Sequence, residues 1–474
     1  MHKVASYLRG GLLTTINVLL YTWTLHRYLF LEGRVSGGVF RNWIRLFRYR
    51  PRRFVQPQTE EEIVSLVRNT KRLRVFGAGH SFNSGIVGET LVSLDRYTGV
   101  LWTDMEKKHM AVRGGTRVRD IVKELLARGL ALAGQPSHDA QSIAGILSTD
   151  VHGTGRDWGF VSESVVSLKL VDGRGQIHEC FPDDDLFKAA IGGVGAVGIL
   201  FEVVIRAVDH FSVEQKVQIS DLSYVERHLD WLLQANDHFS IYAFPFTEKC
   251  QINTWNHTQK PVSILGAVRE QIVISLDALS AAWLANFFAY SGLLPSLSTF
   301  LHNIKKGTDL VLESGQAFNR TMYPMHQELE FTVPYEQTFT VLRAFMKMYE
   351  NLQPQERLAY TLFEIRFTPA GRELSWLGAG RERQSVWIHV NTLDSQGVEA
   401  YFSFCEELMM ALGGRPHLGK WNKRVSRGYM AYVHGEKFER FRQLVREHDP
   451  AGKFVNEYTR RLFEPDAAWE EAAP

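Results

Sequence analysis

Three glycine-rich segments punctuate the amino-terminal part of this chain: GAGHSFN at 77–83, SIAGILSTDVHGTGRDWG at 142–159 and GVGAVG at 193–198. Glycine has no Cβ, so it turns easily at positive φ and lets other groups come close to its backbone amides. A chain that returns to such loops three times is built to hold something against its backbone. The third segment matches G-x-G-x-x-G, which in a Rossmann unit follows a strand and opens a helix. Here DDDLFKAAI before it reads as a helix and ILFEVVIRAV after it alternates as a strand. The order is reversed, so the pattern argues against a Rossmann fold.

With 474 residues, 45% hydrophobic and 22% charged, the chain has an ordinary globular composition. At roughly 150 residues per domain it should form two or three domains, and two is the expectation. A net charge of +2 gives no electrostatic reason for a nucleic-acid partner. Cys180, Cys250 and Cys405 are widely spaced and odd in number, which fits a reducing, cytoplasmic setting. No paired Cys/His ligand spacing occurs, so no metal is expected.

The amino terminus departs from this pattern. GGLLTTINVLLYTWTL at 10–25 is interrupted by threonines and Asn17, and falls short of a spanning helix of about 20 apolar residues. No A-x-A-like cleavage site is evident. Arg34, Arg41, Arg45, Arg48, Arg50, Arg52 and Arg53 are interleaved with Phe40, Trp43, Ile44 and Phe47. Two readings stay open: contact with an anionic membrane through residues 10–53, or a core-packing helix followed by a basic surface strand.

Farther on, Thr59 precedes Glu60, Glu61 and Glu62 as an N-cap for EEEIVSLVRN, and LRVF leads as a strand into the first glycine loop. LVSLD and MAVRGG read as strands. Thr116 is expected to cap TRVRDIVKELLARG, whose Val118, Ile121, Val122, Leu125 and Leu126 share a face. After 208, FSVEQKVQIS and FSIYAFPF read as longer antiparallel strands, and SLDALSAAWLANFFAYSGLL as an apolar core helix. The divisions expected are 1–39, 40–208, 209–412 and a closing segment 413–474.

Taken in order, GAGHSFN, STDVHGTG at 148–155 and IGGVGAVGILFEVVIR at 191–206 resemble the FAD-binding domain of the vanillyl-alcohol oxidase (PCMH-type) superfamily. Within it the chain resembles the sugar-1,4-lactone and alditol oxidases. The likeness continues in FEIR at 363–366, GGRPHLGK at 413–420 and KFVNEY at 453–458. Leu418 stands where the family usually has tryptophan.

The resemblance implies an α+β, two-domain FAD-binding PCMH-type fold whose substrate domain is an antiparallel sheet with helices. It implies FAD, held by Gly77, Ala78, Gly79, His80, Ser81, Phe82, Pro136, Ser137, Ser142, Gly145, Ser148, Thr149, His152, Gly153, Thr154, Gly155, Gly198, Ile199 and Lys420. His80 takes the place that is covalently joined to the flavin in many relatives. Pro136 is similar to oxidases more than to strict dehydrogenases.

By the same resemblance the catalytic set is Glu364, Arg366, His417 and Lys420, with Ser137, Glu364, Arg366, Asn391 and His417 on the substrate. Period-two alternation in FEIRF independently places Glu364 and Arg366 on one face. These residues are expected to serve the pocket and not the core. The implied activity is hydride transfer from a CH–OH carbon of an aldono-1,4-lactone or polyol to flavin N5, with oxygen or another acceptor as partner. The alternatives are a membrane-associated FAD oxidoreductase acting on a lipid or lipid-linked sugar, against which the charged pocket argues, and a flavin-free binding protein.

Overall fold

The structure is a computed structural model that describes residues 32–44, 46–263, 266, 307–318, 326–352, 361–393 and 398–464. The apolar stretch 10–25, Arg45 and the helix expected over 275–294 lie outside the described residues. Short apolar runs build the first sheets. β1 (Arg34–Ser36), β2 (Val39–Arg41) and β3 (Arg48–Tyr49) form an antiparallel ribbon. β4 (Arg53–Val55), β5 (Leu73–Phe76) and β6 (Thr90–Ser93) pair in parallel in the order β4-β6-β5.

Between β4 and β5 runs α1 (Glu60–Asn69), capped as the sequence predicts: Thr59 accepts a hydrogen bond from the Glu62 N–H, and three glutamates occupy the positive end of the helix. Its Ile63, Leu66 and Val67 are buried, each burial contributing about 1.5–3 kcal/mol.

In the basic and aromatic stretch after residue 33, two of the aromatic rings pack inward. Phe40 is fully buried, edge-on to Phe76 at 4.9 Å, and Trp43 is buried against His80. Leu46 stays exposed beside the arginines, and Ile44 and Phe47 are half-buried. Among the described residues no helix is long and apolar enough to cross a membrane.

A five-stranded antiparallel sheet follows, from β7 (Val100–Asp104), β8 (His109–Arg113), β10 (Val165–Val171), β11 (Ile177–Cys180) and β12 (Ile199–Arg206) in the order β11-β10-β12-β8-β7. Two helices interrupt it, α2 (Val118–Leu126) and α3 (Ile143–Ser148), with the two-residue strand β9 (Leu130–Ala131) between them. Thr116 does not cap α2 as expected. Its hydroxyl donates to the Arg113 carbonyl at 2.6 Å and accepts from Gly99 N–H, and the cap position falls to Arg117 without a side-chain bond. A third helix, α4 (Asp185–Ala190), precedes GVGAVG and β12 follows it, so the helix–loop–strand order read from the sequence holds.

Alternation decides the largest sheet. β13 (Val208–Asp209) pairs β9, after which β14 (Ser212–Asp221), β15 (His238–Ala243), β16 (Lys249–Thr258), β17 (Thr308–Glu313), β18 (His326–Pro334), β19 (Thr361–Thr368), β20 (Ser385–Leu393) and β21 (Arg415–Pro416) form an antiparallel sheet. Their order is β17-β14-β16-β15-β19-β20-β18-β21. One face carries Ile241, Ile365, Ile388, Leu329 and Phe331, all buried. Helices α5 (Leu222–Ala235), α6 (Thr338–Asn351) and α7 (Val398–Ala411) share their core cluster through Leu229, Phe345 and Phe402. The opposite face is polar, and it carries the site.

The chain then closes on its beginning through α8 (Arg427–His434), α9 (Glu436–His448) and α10 (Glu457–Phe463). Leu73 N–H donates to the Lys453 carbonyl at 2.9 Å, and the Asn456 amide donates to the carbonyls of Ser84, Gly85 and Val87. All three cysteines are buried free thiols.

Candidate active site

The glycine loops converge because their neighbours leave no room for side chains. A Cβ on Gly77 would lie 2.0 Å from Ser142 Oγ, so the first loop rests on the start of α3. Gly79, at φ +66°, would put a Cβ 2.7 Å from the Gly33 Cα. Gly192 and Val194 of the third loop donate to the carbonyls of Leu147 and Ser148, at 2.9 and 2.8 Å. Arg74 on β5 binds the set together, donating to the carbonyls of Gly85, Val194 and Phe454 at 2.7–2.8 Å. Burial lowers its pKa to about 10.

Several expected cofactor residues also have partners within the protein. Ser142 Oγ accepts from Gly145 N–H as the cap of α3, while the Ser148 and Thr149 hydroxyls donate back to the Ala144 and Gly145 carbonyls of their own helix. Thr154 Oγ1 lies 3.3 Å from His238 Nδ1, and Gly155 bridges to His238, so both face β15. Gly153 N–H donates to Gly159. A Cβ on Gly198 would strike the Val171 carbonyl at 2.6 Å, and Ile199 packs in the core beside Val171, so packing accounts for this pair.

His80 stacks on Trp43, with ring centroids 5.3 Å apart and planes 18° from parallel. His138 meets both rings edge-on, and Phe82 and His326 complete this wall. Pro136 and Ser137 belong to the loop that delivers His138, whose pKa burial holds well below the ordinary histidine value. Trp43 Nε1 is buried without a hydrogen-bond partner. Phe82 N–H donates to the Gly419 carbonyl at 2.9 Å, and the Asn83 amide to those of Leu418 and Lys420. The first glycine loop is thereby fastened to RPHLGK, and Ala78 and Ser81 are carried in the same turn.

Register assembles the rest. Tyr242, Glu364, His389 and Glu330 lie directly opposite one another across β15, β19, β20 and β18, and Ser240, Arg366, Trp387 and Thr332 form the next row. Cross-strand partners share a face, so these side chains line one surface with Glu328 and Asn391, which also pair. Arg366 Nε and Nη2 both approach Glu364 Oε1, at 2.8 and 2.7 Å. His152 from the second glycine loop stacks on Trp387 at 3.8 Å and donates from Nε2 to Glu330 Oε1 at 2.5 Å.

His389 donates from Nδ1 to Glu328 Oε1 at 2.6 Å. Its Nε2 stands 2.6 Å from Glu330 Oε1, outside hydrogen-bond alignment. The Lys420 ammonium contacts Glu328 Oε2 and lies 3.8 Å from Glu330 Oε2. Lys420 is thus a partner of a buried carboxylate.

Burial opposes ionisation of Glu328 and Glu330, but the partner groups facing them hold both carboxyls well below the usual range. For Glu328 these are Lys420, His326 and His389; for Glu330, His389, His152 and His417. Burial also pulls on His389, yet Glu330 and Glu328 raise its pKa above the ordinary value. Burial lowers the pKa of His152, and takes that of His417 to about 4.

His417 Nδ1 accepts from the Gly419 N–H at 3.0 Å, which assigns its proton to Nε2 in the neutral ring. It therefore offers a donor there. Glu328, Glu330 and His389 were missed at the sequence level, although HQELEF alternates in the same way as FEIRF.

Comparison with known proteins agrees with this geometry. A family model described as an FAD binding domain matches residues 51–180, and one described as D-arabinono-1,4-lactone oxidase matches residues 203–462. The chain is 25% identical over 427 residues to the L-gulono-1,4-lactone dehydrogenase of Mycobacterium tuberculosis, covering 88% of this chain and 96% of that one. It is 27% identical over 444 residues to the L-gulonolactone oxidase of Bos taurus, covering 90% and 99%. Among solved structures, a cholesterol oxidase from Brevibacterium sterolicum superposes with a TM-score of 0.70 at 17% identity, covering 91% of this chain and 97% of that one. At that identity the likeness is one of fold.

Proposed function

The chain belongs to the D-arabinono-1,4-lactone oxidase family, and we propose that the polar face of its eight-stranded sheet binds an aldono-1,4-lactone and presents its CH–OH group for oxidation. The protein is an FAD-linked oxidoreductase acting on sugar lactones. The observation that carries the substrate assignment is the row Glu364–His389–Glu330 with Arg366, Asn391, His417 and Lys420 around it. It is a buried, charge-balanced surface suited to a small ligand rich in hydroxyls. Such charged pairs would be costly to bury under a lipid, which disfavours the lipid alternative.

The residues present fit FAD. The orphaned Trp43 Nε1 beside His80 would find an acceptor on a planar heterocycle. The 77–82 turn, the Pro136–Ser137 loop, the residues from Ser142 to Gly155 and Lys420 would hold it, with Gly198 and Ile199 shaping the sheet behind. When bound, FAD accepts the hydride at N5 and passes electrons to oxygen or another acceptor.

The chain's own residues do the positioning. The Glu364–Arg366 pair, with Asn391 and Ser137, clamps the lactone hydroxyls. Glu330 Oε2 makes no hydrogen bond in the described structure and is placed to accept one from the reacting hydroxyl. His417 donates from Nε2 to a substrate oxygen. Lys420, fixed by Glu328, supplies positive charge where negative charge accumulates.

The test is a panel of aldono-1,4-lactones and alditols mixed anaerobically with the purified protein. At least one lactone should bleach the flavin absorbance, and admitting oxygen should then show whether peroxide forms. If no lactone bleaches it while alditols or lipids do, the substrate class is wrong.

We also propose that His80 would hold the flavin covalently through a ring nitrogen bonded to the flavin methyl carbon, that carbon and the imidazole each losing a proton and the two electrons passing to the same acceptor that reoxidises the flavin. Acid precipitation should leave yellow flavin with wild-type protein and release it from His80→Ala. Complete loss of flavin from the wild type would refute the link.

A further inference from the structure

Asp172, at the end of β10, His178 on β11 and His448, the last residue of α9, meet away from the glycine loops and the sheet face. Asp172 is fully buried. Its Oδ1 accepts the N–H groups of Arg174 and Gln176, both at 2.9 Å, which fixes the carboxylate in its turn. Its Oδ2 faces both imidazoles: His178 Nε2 lies 2.9 Å away, and His448 Nδ1 lies 3.5 Å away without making a hydrogen bond. The two rings meet edge to face, centroids 4.9 Å apart, and the three ligand atoms all lie within 4.8 Å of one another.

We propose that Asp172, His178 and His448 form a three-ligand site for a divalent cation of borderline softness, with Zn²⁺ as its probe. Ligand bonds of about 2.0–2.2 Å in a tetrahedral shell put neighbouring donor atoms about 3.3–3.5 Å apart. The observed 2.9 and 3.5 Å from Asp172 bracket that spacing, and the two imidazole nitrogens lie within 4.8 Å of each other. His178 and His448 keep 27% and 18% of their side-chain surface exposed, which gives an ion an entry path and leaves a fourth position for water. Two imidazoles exclude Mg²⁺ and Ca²⁺, which prefer all-oxygen shells.

The turn amides on Oδ1 are the outer-shell support that a ligating carboxylate needs. Bound metal would tie the β10–β11 hairpin to α9, across more than half the chain. That separation is why local ligand spacing gave no hint of a metal.

The experiment uses full-length, flavin-loaded protein without an affinity tag, titrated with Zn²⁺ by calorimetry and melted with and without it. One equivalent should bind and raise the melting temperature of wild type. His178→Ala and His448→Ala should each weaken that binding by at least about tenfold and abolish the thermal shift.

His152, Glu330 and His389 also offer ligand atoms within 4.8 Å, so His389→Gln is the control, and it should bind Zn²⁺ as wild type does. X-ray absorption of the wild-type complex should report two imidazoles in an N/O shell, a readout that survives if a variant fails to fold. No Zn²⁺ binding, binding undiminished in both alanine variants, or binding lost in the control would overturn the proposal.

Discussion

Replacing Lys420 with methionine should slow anaerobic flavin reduction about a hundredfold, the effect of removing one well-placed donor worth about 3 kcal/mol in the transition state. Methionine keeps the length and the apolar stem, so the loss falls on charge and not on shape; it takes with it the ammonium that lies 5.2 Å from the Phe82 ring centroid. The structure adds a second consequence. Glu328 is buried and held ionised first by Lys420, and removing the ammonium leaves it with His389 and His326. Breaking a buried pair from one side costs about 3–5 kcal/mol. Here the cost should fall at or below the lower end, because 21% of the Lys420 side chain is exposed and His389 still donates to Glu328.

The melting temperature should therefore drop with the rate. The double variant Lys420→Met, Glu328→Gln separates the two effects by removing the stranded carboxylate: stability should largely return while reduction stays slow. If the rate returns together with stability, Lys420 is only a structural partner of Glu328. A single variant within twofold of wild type would remove it from the chemistry altogether.

What the sequence showed and what it hid follow from how far each feature reaches along the chain. The Thr59 cap is set by three residues, and the glycine turn at Gly79 by its own φ, so both are legible locally. Alternation in FEIRF likewise puts Glu364 and Arg366 on one face, and their ion pair follows. Glu328 and Glu330 alternate just as plainly in HQELEF. Their meaning comes from pairing with His389, and a strand pattern read alone does not say which distant strand lies opposite.

Similarly, Phe40 and Trp43 looked like interface aromatics until their partners Phe76 and His80 came from beyond the next helix. Thr116 failed as a cap because a nearby carbonyl, Arg113, took its hydroxyl. Ser148 and Thr149 looked like ligand donors, but a helix carbonyl four residues back competes for each hydroxyl.

Glu330→Gln tests the part of the site that only register reveals. Glu330 is fully buried, accepts from His152 Nε2, and faces His389 Nε2 at 2.6 Å. Glutamine keeps the shape and can still accept from His152, but it withdraws the charge that does most to raise the His389 pKa against burial. Two signs follow. His389 has a raised folded pKa, so its stabilisation is fully present below the unfolded value of about 6.5 and fades as pH rises through the folded one. In the variant that fade, and the alkaline limb of kcat/KM if charged His389 orients substrate, should move to lower pH.

Glu330 itself has a depressed pKa, so its contribution is present above the unfolded carboxyl value of about 4.3 and lost as pH falls through the folded one. The variant should therefore melt well below wild type at pH 7, by the equivalent of about 3 kcal/mol, and the gap should narrow only as pH falls below about 4.3. Adding His389→Gln removes the stranded imidazolium, so the double variant should lose less stability than the two single losses summed. A gap that stays constant up to pH 9 and below pH 4, with an unmoved alkaline limb and additive losses, would mean that Glu330 and His389 are neighbours without electrostatic coupling. The row across β19, β20 and β18 would then be packing and not a site.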